Sequence, residues 1–335
     1  MTGVDVSSAE PGLSAWLAAG WHGQMAYMAA HGLKRARPAE LVPGTLSVIT
    51  ARMDYLPVNT PAGWQTMELD RLQQHDTATV SLYARGRDYH KVMRQRLQKL
   101  ADQMVQEFGP LGYRVFTDSA PALEAELASR SGLGWRGKHT LVLNREAGSM
   151  AFLGEIFVDA VLPTTEPVSS HCGSCSACLD ICPTQAIVAP YRLDARRCLS
   201  YLSIEHAGPI PEVFRAPMGN RIYGCDDCQL VCPWNKFAQT SQLPDFDARP
   251  HLVDQPLVSL FAWTEDEFLR FTEGSPIRRI GHERWLRNVA VALGNALRVA
   301  PSVQARRALS EALHSRLALA SALVREHVVW ALAQG

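Results

Sequence analysis

From Tyr89 to Phe108 apolar residues recur at helical spacing, at Met93, Leu97, Leu100, Met104 and Phe108. This pattern predicts one long helix stopped by Gly109-Pro110, with the apolar stripe facing the core. Shorter β-branched and aromatic runs predict strands at Leu46 to Met53, Ala78 to Tyr83, Tyr113 to Phe116, Thr140 to Leu143 and Met150 to Val158. A second helix is expected after Asp118-Ser119, where a capping side chain precedes Pro121 and Glu124, and it should run to the Gly132-Leu133-Gly134 break. Residues 1–165 therefore predict a mixed α/β domain.

The pattern changes at about Val168. Up to Ala238 the chain is rich in Cys, Pro and Gly and short of periodic segments, as expected where inorganic centres replace much of a hydrophobic core. Beyond Pro256 it turns helical, and Asn288 to Leu297 and Val324 to Leu332 predict successive helices of a HEAT-like array. The expected fold class is α+β in three parts: residues 1–165, a metal-organised module over 166–240, and a helical region over 241–335.

Composition narrows the function. Of 335 residues, 47% are hydrophobic and 20% charged, which excludes a disordered or fibrous chain. Thirty-three basic residues balance thirty-three acidic ones, so nucleic-acid binding must come from local patches. No apolar stretch approaches the length of a membrane span, and the first twenty residues lack the basic start of a secretory signal. A cytoplasmic location without membrane association is expected.

All eight cysteines fall between Cys172 and Cys232. In a reducing compartment such clustering points to metal thiolates or redox chemistry. Cys172-x2-Cys175-x2-Cys178-x3-Cys182-Pro183 is the bacterial ferredoxin run, in which three thiolates grip one cubane and the fourth reaches the other. The second run, Cys225-x2-Cys228-x3-Cys232-Pro233, lacks one thiolate, which Cys198 can supply. The crossover rule then gives cluster one Cys172, Cys175, Cys178 and Cys232, and cluster two Cys182, Cys198, Cys225 and Cys228. Two zinc ribbons are the competing explanation. They would use neither the third cysteine at x2 spacing nor the Cys-Pro that ends each run.

A two-cluster module carries electrons without choosing a substrate. The strings YARGRDYH (83–90), DSAPALE (118–124), GLGWRGK (132–138), LGEI (153–156), GNRIYGCD (219–226) and GSPIRRIGHER (274–284) are more specific. In this order they resemble the epoxyqueuosine reductase family over nearly the whole chain. The resemblance implies a cobalamin-binding α/β catalytic domain and reduction of epoxyqueuosine to queuosine at tRNA wobble position 34, the last step of queuosine biosynthesis. It further implies cob(II)alamin (vitamin B12), two 4Fe-4S clusters, an external low-potential electron donor and a monomer. By similarity Asp118 is the proton donor, its carboxyl pKa raised by burial, and Arg35, Ser81, Asp118, Val142, Asn144, Ser200 and Asp226 contact cobalamin. No protein histidine is expected to ligate the cobalt, and His90, His139 and His171 read as ordinary polar residues. Members of the family normally begin with a helix and a first strand ahead of the segment matching Ala9 to Met28, and this chain is expected to start after both.

For tRNA contact, residues 276–316 carry eight arginines against two glutamates. Arg278, Arg279, Arg284 and Arg287, with Arg215, Arg221 and Trp285, are expected to reach the anticodon loop, since arginine suits phosphate and unstacked bases suit aromatic rings. Competing functions are a reductive dehalogenase, which would share the corrin and clusters, and a non-catalytic electron-transfer module.

Overall fold

The computed structural model describes residues Met1–Gly335. Ser47–Asp54 and Ala151–Val158 pair antiparallel over eight residues, from Ser47 opposite Val158 to Asp54 opposite Ala151. Tyr113–Phe116 joins the far edge of the second strand, and Thr2–Gly3 joins the far edge of the first, completing a four-stranded sheet. An N-terminal strand is therefore present as a two-residue piece, contrary to the sequence expectation.

The helix Tyr89–Phe108 starts where the Asp88 side chain accepts the His90 N–H and ends at Gly109, whose φ of 89° suits glycine. Met93, Leu97 and Ala101 pack it on Ile156 and Val158. Gly154 allows this approach, because a Cβ there would stand 2.6 Å from Leu97 Cδ1. The expected core stripe is buried only in its first half. Leu100 lies beside the 93–97–101 line, Phe108 lies beyond the last buried turn, and both face solvent at 41% and 80% exposure.

On the other sheet face, Leu127 of helix Glu124–Arg130 packs with Val48, Phe116 and Phe157. This helix begins later than the sequence suggested. Asp118 has φ 35°, in the left-handed region, so residues 118–123 form a loop, and Asp118 caps nothing. Two predicted strands also shrink. Thr79–Val80 gives way to a turn of 3-10 helix at Leu82–Ala84, and Val142–Leu143 forms a short hairpin with Trp135–Arg136.

Thr79–Val80 pairs parallel with Arg221–Tyr223, tying the first part of the chain to the cysteine-rich part. The C-terminal helices Gly281–Arg298, Val303–Leu317 and Ala322–Leu332 close over this joint. The largest apolar core contains Val80, Ile222, Tyr223, Leu293 and Val328, so all three stretches of sequence contribute to it. Burying one such core ties the helical region to the rest of the molecule. No helix is long and apolar enough to cross a membrane.

Candidate active site

A cavity of about 540 Å³ opens between the sheet, the 139–144 hairpin turn, the 198–205 helix and the 225–229 turn, with 22 of its 39 lining residues hydrophobic. Such a mostly apolar hollow with a few convergent polar groups is the usual form of a cofactor or substrate site.

No disulfide joins any of the eight cysteines. Cys182, Cys198, Cys225 and Cys228 line the cavity, whereas Cys175 is exposed at the surface. Burial pushes the Cys178 thiol up to about 11, and its charged neighbours are Cys232, Cys172 and Cys175. Burial likewise raises Cys228, whose thiol neighbours are Cys198 and Cys182. Cys225 is raised by burial and by Asp227, with Cys198 and Cys228 adding to it. Cys172, Cys175, Cys178 and Cys232 are thus neighbours, as are Cys182, Cys198, Cys225 and Cys228. Buried thiols so close together ionise only when a cationic centre compensates them, as iron does.

Across the cavity Asp118 accepts a hydrogen bond from the Tyr89 hydroxyl and lies 3.3 Å from His90 Nε2. The Tyr89 ring stacks on Phe152 at 4.0 Å, which fixes the hydroxyl's aim. Burial alone would raise the Asp118 carboxyl, but His90, Tyr89 and the charge of Arg279 hold it below its usual range. The sequence expectation of a raised Asp118 is thus reversed, because its loop faces donors instead of apolar side chains. Burial pushes His90 down, yet its bonds to Asp118 and Asp88 outweigh this and raise it to about 9. At neutral pH the proton therefore rests on His90.

Six expected residues line the cavity: Asp118, Ser81, Val142, Asn144, Ser200 and Asp226. Ser81 and the Leu82 N–H both donate to the buried Asp226 carboxylate, and Asn144 spends its side chain on Leu133 O and the Glu146 N–H. Arg35 is a correction. It does not line the cavity but is buried, giving its guanidinium to the carbonyls of Tyr27, Met28 and Ala120.

Most of the expected tRNA arginines are corrected as well. Arg287 is fully buried and donates to the carbonyls of Leu202, His206 and Gly208. Arg215 is buried against Glu326 and Ile210 O, and Arg221 is buried against both oxygens of Asp227. Arg284 is half-buried on the carbonyls of Ile204, Arg279 and Ile280, and Trp285 is fully buried, stacked on Trp263. Helix ends and loop carbonyls claimed these side chains, which charge counting along the sequence cannot reveal. Arg278 and Arg279 remain exposed, and Arg279 reaches the cavity rim beside Glu205.

His139, read as an ordinary polar residue, lines the cavity while 4% exposed. Burial lowers its pKa to about 4, so it is neutral. Its Nδ1 accepts the Leu141 N–H, which places the ring proton on Nε2, and Nε2 has no protein partner. An orphaned buried donor of this kind calls for a ligand acceptor. No sequence signal separates His139 from its neighbours. Tyr89, His90, Glu124 and Glu155 were also unassigned, although each lies inside one of the family-like strings.

Cysteines running from an exposed edge to an apolar cavity, with a carboxylate and proton-bearing partners opposite, define an iron–sulfur oxidoreductase. Comparison with known proteins narrows this. The 4Fe-4S double cluster binding domain matches residues 171–235, and the family described as "Epoxyqueuosine reductase QueG, DUF1730" matches residues 35–119. Epoxyqueuosine reductase of Alicycliphilus denitrificans is 72% identical over 335 residues, covering 100% of this chain and 93% of that protein. Its counterpart in Burkholderia pseudomallei is 58% identical over 353 residues, covering 98% and 86%. A crystal structure of epoxyqueuosine reductase with an epoxyqueuosine-modified tRNA stem loop superposes with TM-score 0.81 at 24% identity, covering 100% of this chain and 93% of the other. The chain belongs to the epoxyqueuosine reductase family. It is an oxidoreductase whose double-cluster domain binds two 4Fe-4S clusters.

Proposed function

We propose that this protein removes the epoxide oxygen of epoxyqueuosine at the wobble position of tRNA anticodons, leaving queuosine, with cobalamin seated in the cavity. One observation carries the reading: a single apolar cavity brings together all four cysteines of one cluster set and an aspartate bonded to Tyr89 and His90. Cys172, Cys175, Cys178 and Cys232, with Cys175 at the surface, would hold the cluster nearer an external low-potential donor, and Cys182, Cys198, Cys225 and Cys228 would hold the one beside the cavity. Such clusters would supply one-electron relays between donor and cavity.

The residues fit a corrin. The wall is mostly apolar, and the unpartnered His139 Nε2–H offers a hydrogen bond to an amide or phosphate of the cofactor's rim. Ser81, Val142, Asn144, Ser200 and Asp226 would complete its seat. Cobalamin would supply a cobalt-centred reductant strong enough to open the epoxide, which no side chain can provide. The chain's own part is proton supply and positioning. Asp118 would face the reacting oxygen and relay to it the proton that His90 holds at neutral pH. Tyr89 keeps the carboxylate aimed.

Arg278 and Arg279 would meet anticodon phosphates at the cavity mouth. Residues 1–165, 166–240 and 241–335 would act as cobalamin-binding, ferredoxin-like and HEAT-like parts of one monomeric cytoplasmic enzyme. The test is direct. Anaerobically reconstituted protein with cobalamin and a strong reductant should convert an epoxyqueuosine-bearing anticodon stem loop, with loss of one oxygen atom by nucleoside mass spectrometry. Fully metallated, cobalamin-loaded protein that leaves the base unchanged overturns the reading.

A further inference from the structure

Opening an epoxide to an alkene breaks two C–O bonds, forms one C=C bond and consumes two electrons and two protons, and the oxygen leaves as water. The clusters account for the electrons. The Asp118–His90 pair accounts for one proton. A second donor is needed, and the cavity wall contains one.

Glu155 lies on the central strand and is fully buried, at 0% exposure. Apart from the Glu124 carboxyl, no donor of the protein reaches either of its carboxyl oxygens. Across the ladder it is paired with Thr50, whose hydroxyl is equally without a partner. The Glu155 carboxyl instead lies against that of Glu124, the first residue of the helix covering this face. Two carboxylates cannot hydrogen bond each other, whereas a carboxylic acid and a carboxylate can, so this contact requires a proton. Glu124 lines the cavity, and its Oε1 accepts the backbone N–H of Asp118. The two glutamate carboxyls thus run from the protein interior to the cavity, ending beside the Asp118 backbone.

We propose that Glu124 and Glu155 share a proton and deliver it, through the Glu124 carboxyl, as the second proton of the reduction. The proposal rests on the epoxide-reducing reading above and adds to it a named source for that proton. Burial and the charge of Asp118 raise Glu155 to about 8, and burial with Glu155 and Asp118 places Glu124 well above the carboxylate range. The other charged or titratable groups facing the cluster are Asp118, Tyr89, His90 and Arg279, with His90 and Arg279 on the Asp118 side, while Arg52, on the strand paired with that of Glu155, gives its guanidinium to Asp54 and Ala147 O. No cation neutralises the glutamates themselves, which is why a proton does so. After delivery the pair is a dicarboxylate and regains its proton from solvent once product leaves.

The test uses cluster- and cobalamin-loaded Glu155→Gln and Glu124→Gln beside the wild type. Difference infrared spectroscopy at pH 7 should show the carbonyl band of a protonated carboxylic acid in the wild type, lost at alkaline pH and absent from Glu155→Gln. Single-turnover conversion should fall at least tenfold in either variant, with the wild type's alkaline limb near pH 8 removed in Glu155→Gln. A residue serving structure alone would leave that limb in place. Glu155→Gln that keeps the wild-type rate and pH profile, or a wild type showing only carboxylate bands, overturns the inference. Should Glu155→Gln fold poorly, Glu124→Gln at the helix start carries the same two readouts. Failure of the wild type to convert the base would instead strike the function itself.

Discussion

Arg287 separates a structural arginine from a nucleic-acid contact by measurement. It sits in helix Gly281–Arg298 with no exposed surface, and its guanidinium bonds the carbonyls of Leu202, His206 and Gly208 at 2.8, 2.6 and 2.8 Å. Arg287→Met keeps the stem length and removes the donors. Each buried acceptor left without a partner costs roughly 1–3 kcal/mol. Burial already pushes this guanidinium down to about 9, so removing the charge returns part of that sum. A net loss of roughly 3 kcal/mol is expected, which lowers Tm by about 4 °C in a chain of this size. Far-UV circular dichroism of the cluster-loaded protein reads the shift. Stem-loop affinity, taken well below the transition, should stay at the wild-type value. An unchanged Tm with weakened stem-loop binding would refute the structural assignment.

The converse is expected of Arg278→Ala and Arg279→Ala: unchanged Tm within about 1 kcal/mol of stability, weaker stem-loop binding, and a salt dependence of log K reduced by about 0.7–0.9 per arginine. Asp118→Asn should cut turnover at least about 100-fold while iron and cobalamin content match the wild type; retained turnover would remove Asp118 from the acid role. His139→Phe, which deletes the orphaned Nε2–H, should weaken cobalamin binding roughly tenfold by equilibrium dialysis with iron content intact. His90 titrates at about 9 in the folded chain against 6.5 ordinarily, so its stabilisation is complete below pH 6.5 and is lost as pH rises to about 9. The urea stability gap between wild type and His90→Gln should close over that window, and a constant gap would show that His90 is not charged.

Long periodic and spaced patterns were legible in the sequence, and contacts between distant segments were not. Tyr89–Phe108 was delimited correctly because twenty residues of 3.6 periodicity end at Gly-Pro, and the spacing of the cysteines pointed to the double-cluster domain that matches residues 171–235. Asp118 misled as a helix start because its backbone turns left-handed and the capping bond runs the other way, from its N–H to Glu124. Arg35, Arg215, Arg221 and Arg287 misled because folding turns long cationic side chains inward onto carbonyls and acids, both near in sequence, as Ile210 and Asp227, and far from it, as Leu202. His139 and Glu155 acquire meaning only when folding leaves their polar atoms buried without partners.

The central claim is that the two clusters drive reduction of a substrate held in the cavity beside cluster two. Its sharpest test is a single turnover of pre-reduced, cobalamin-loaded enzyme, freed of excess reductant and mixed anaerobically with the epoxyqueuosine stem loop. Rapid freeze-quench EPR follows the reduced clusters while mass spectrometry counts product. The account predicts that the cluster signals decay at the rate queuosine forms, two electrons per base. Product appearing while both clusters stay reduced, or clusters oxidising without product, would contradict it.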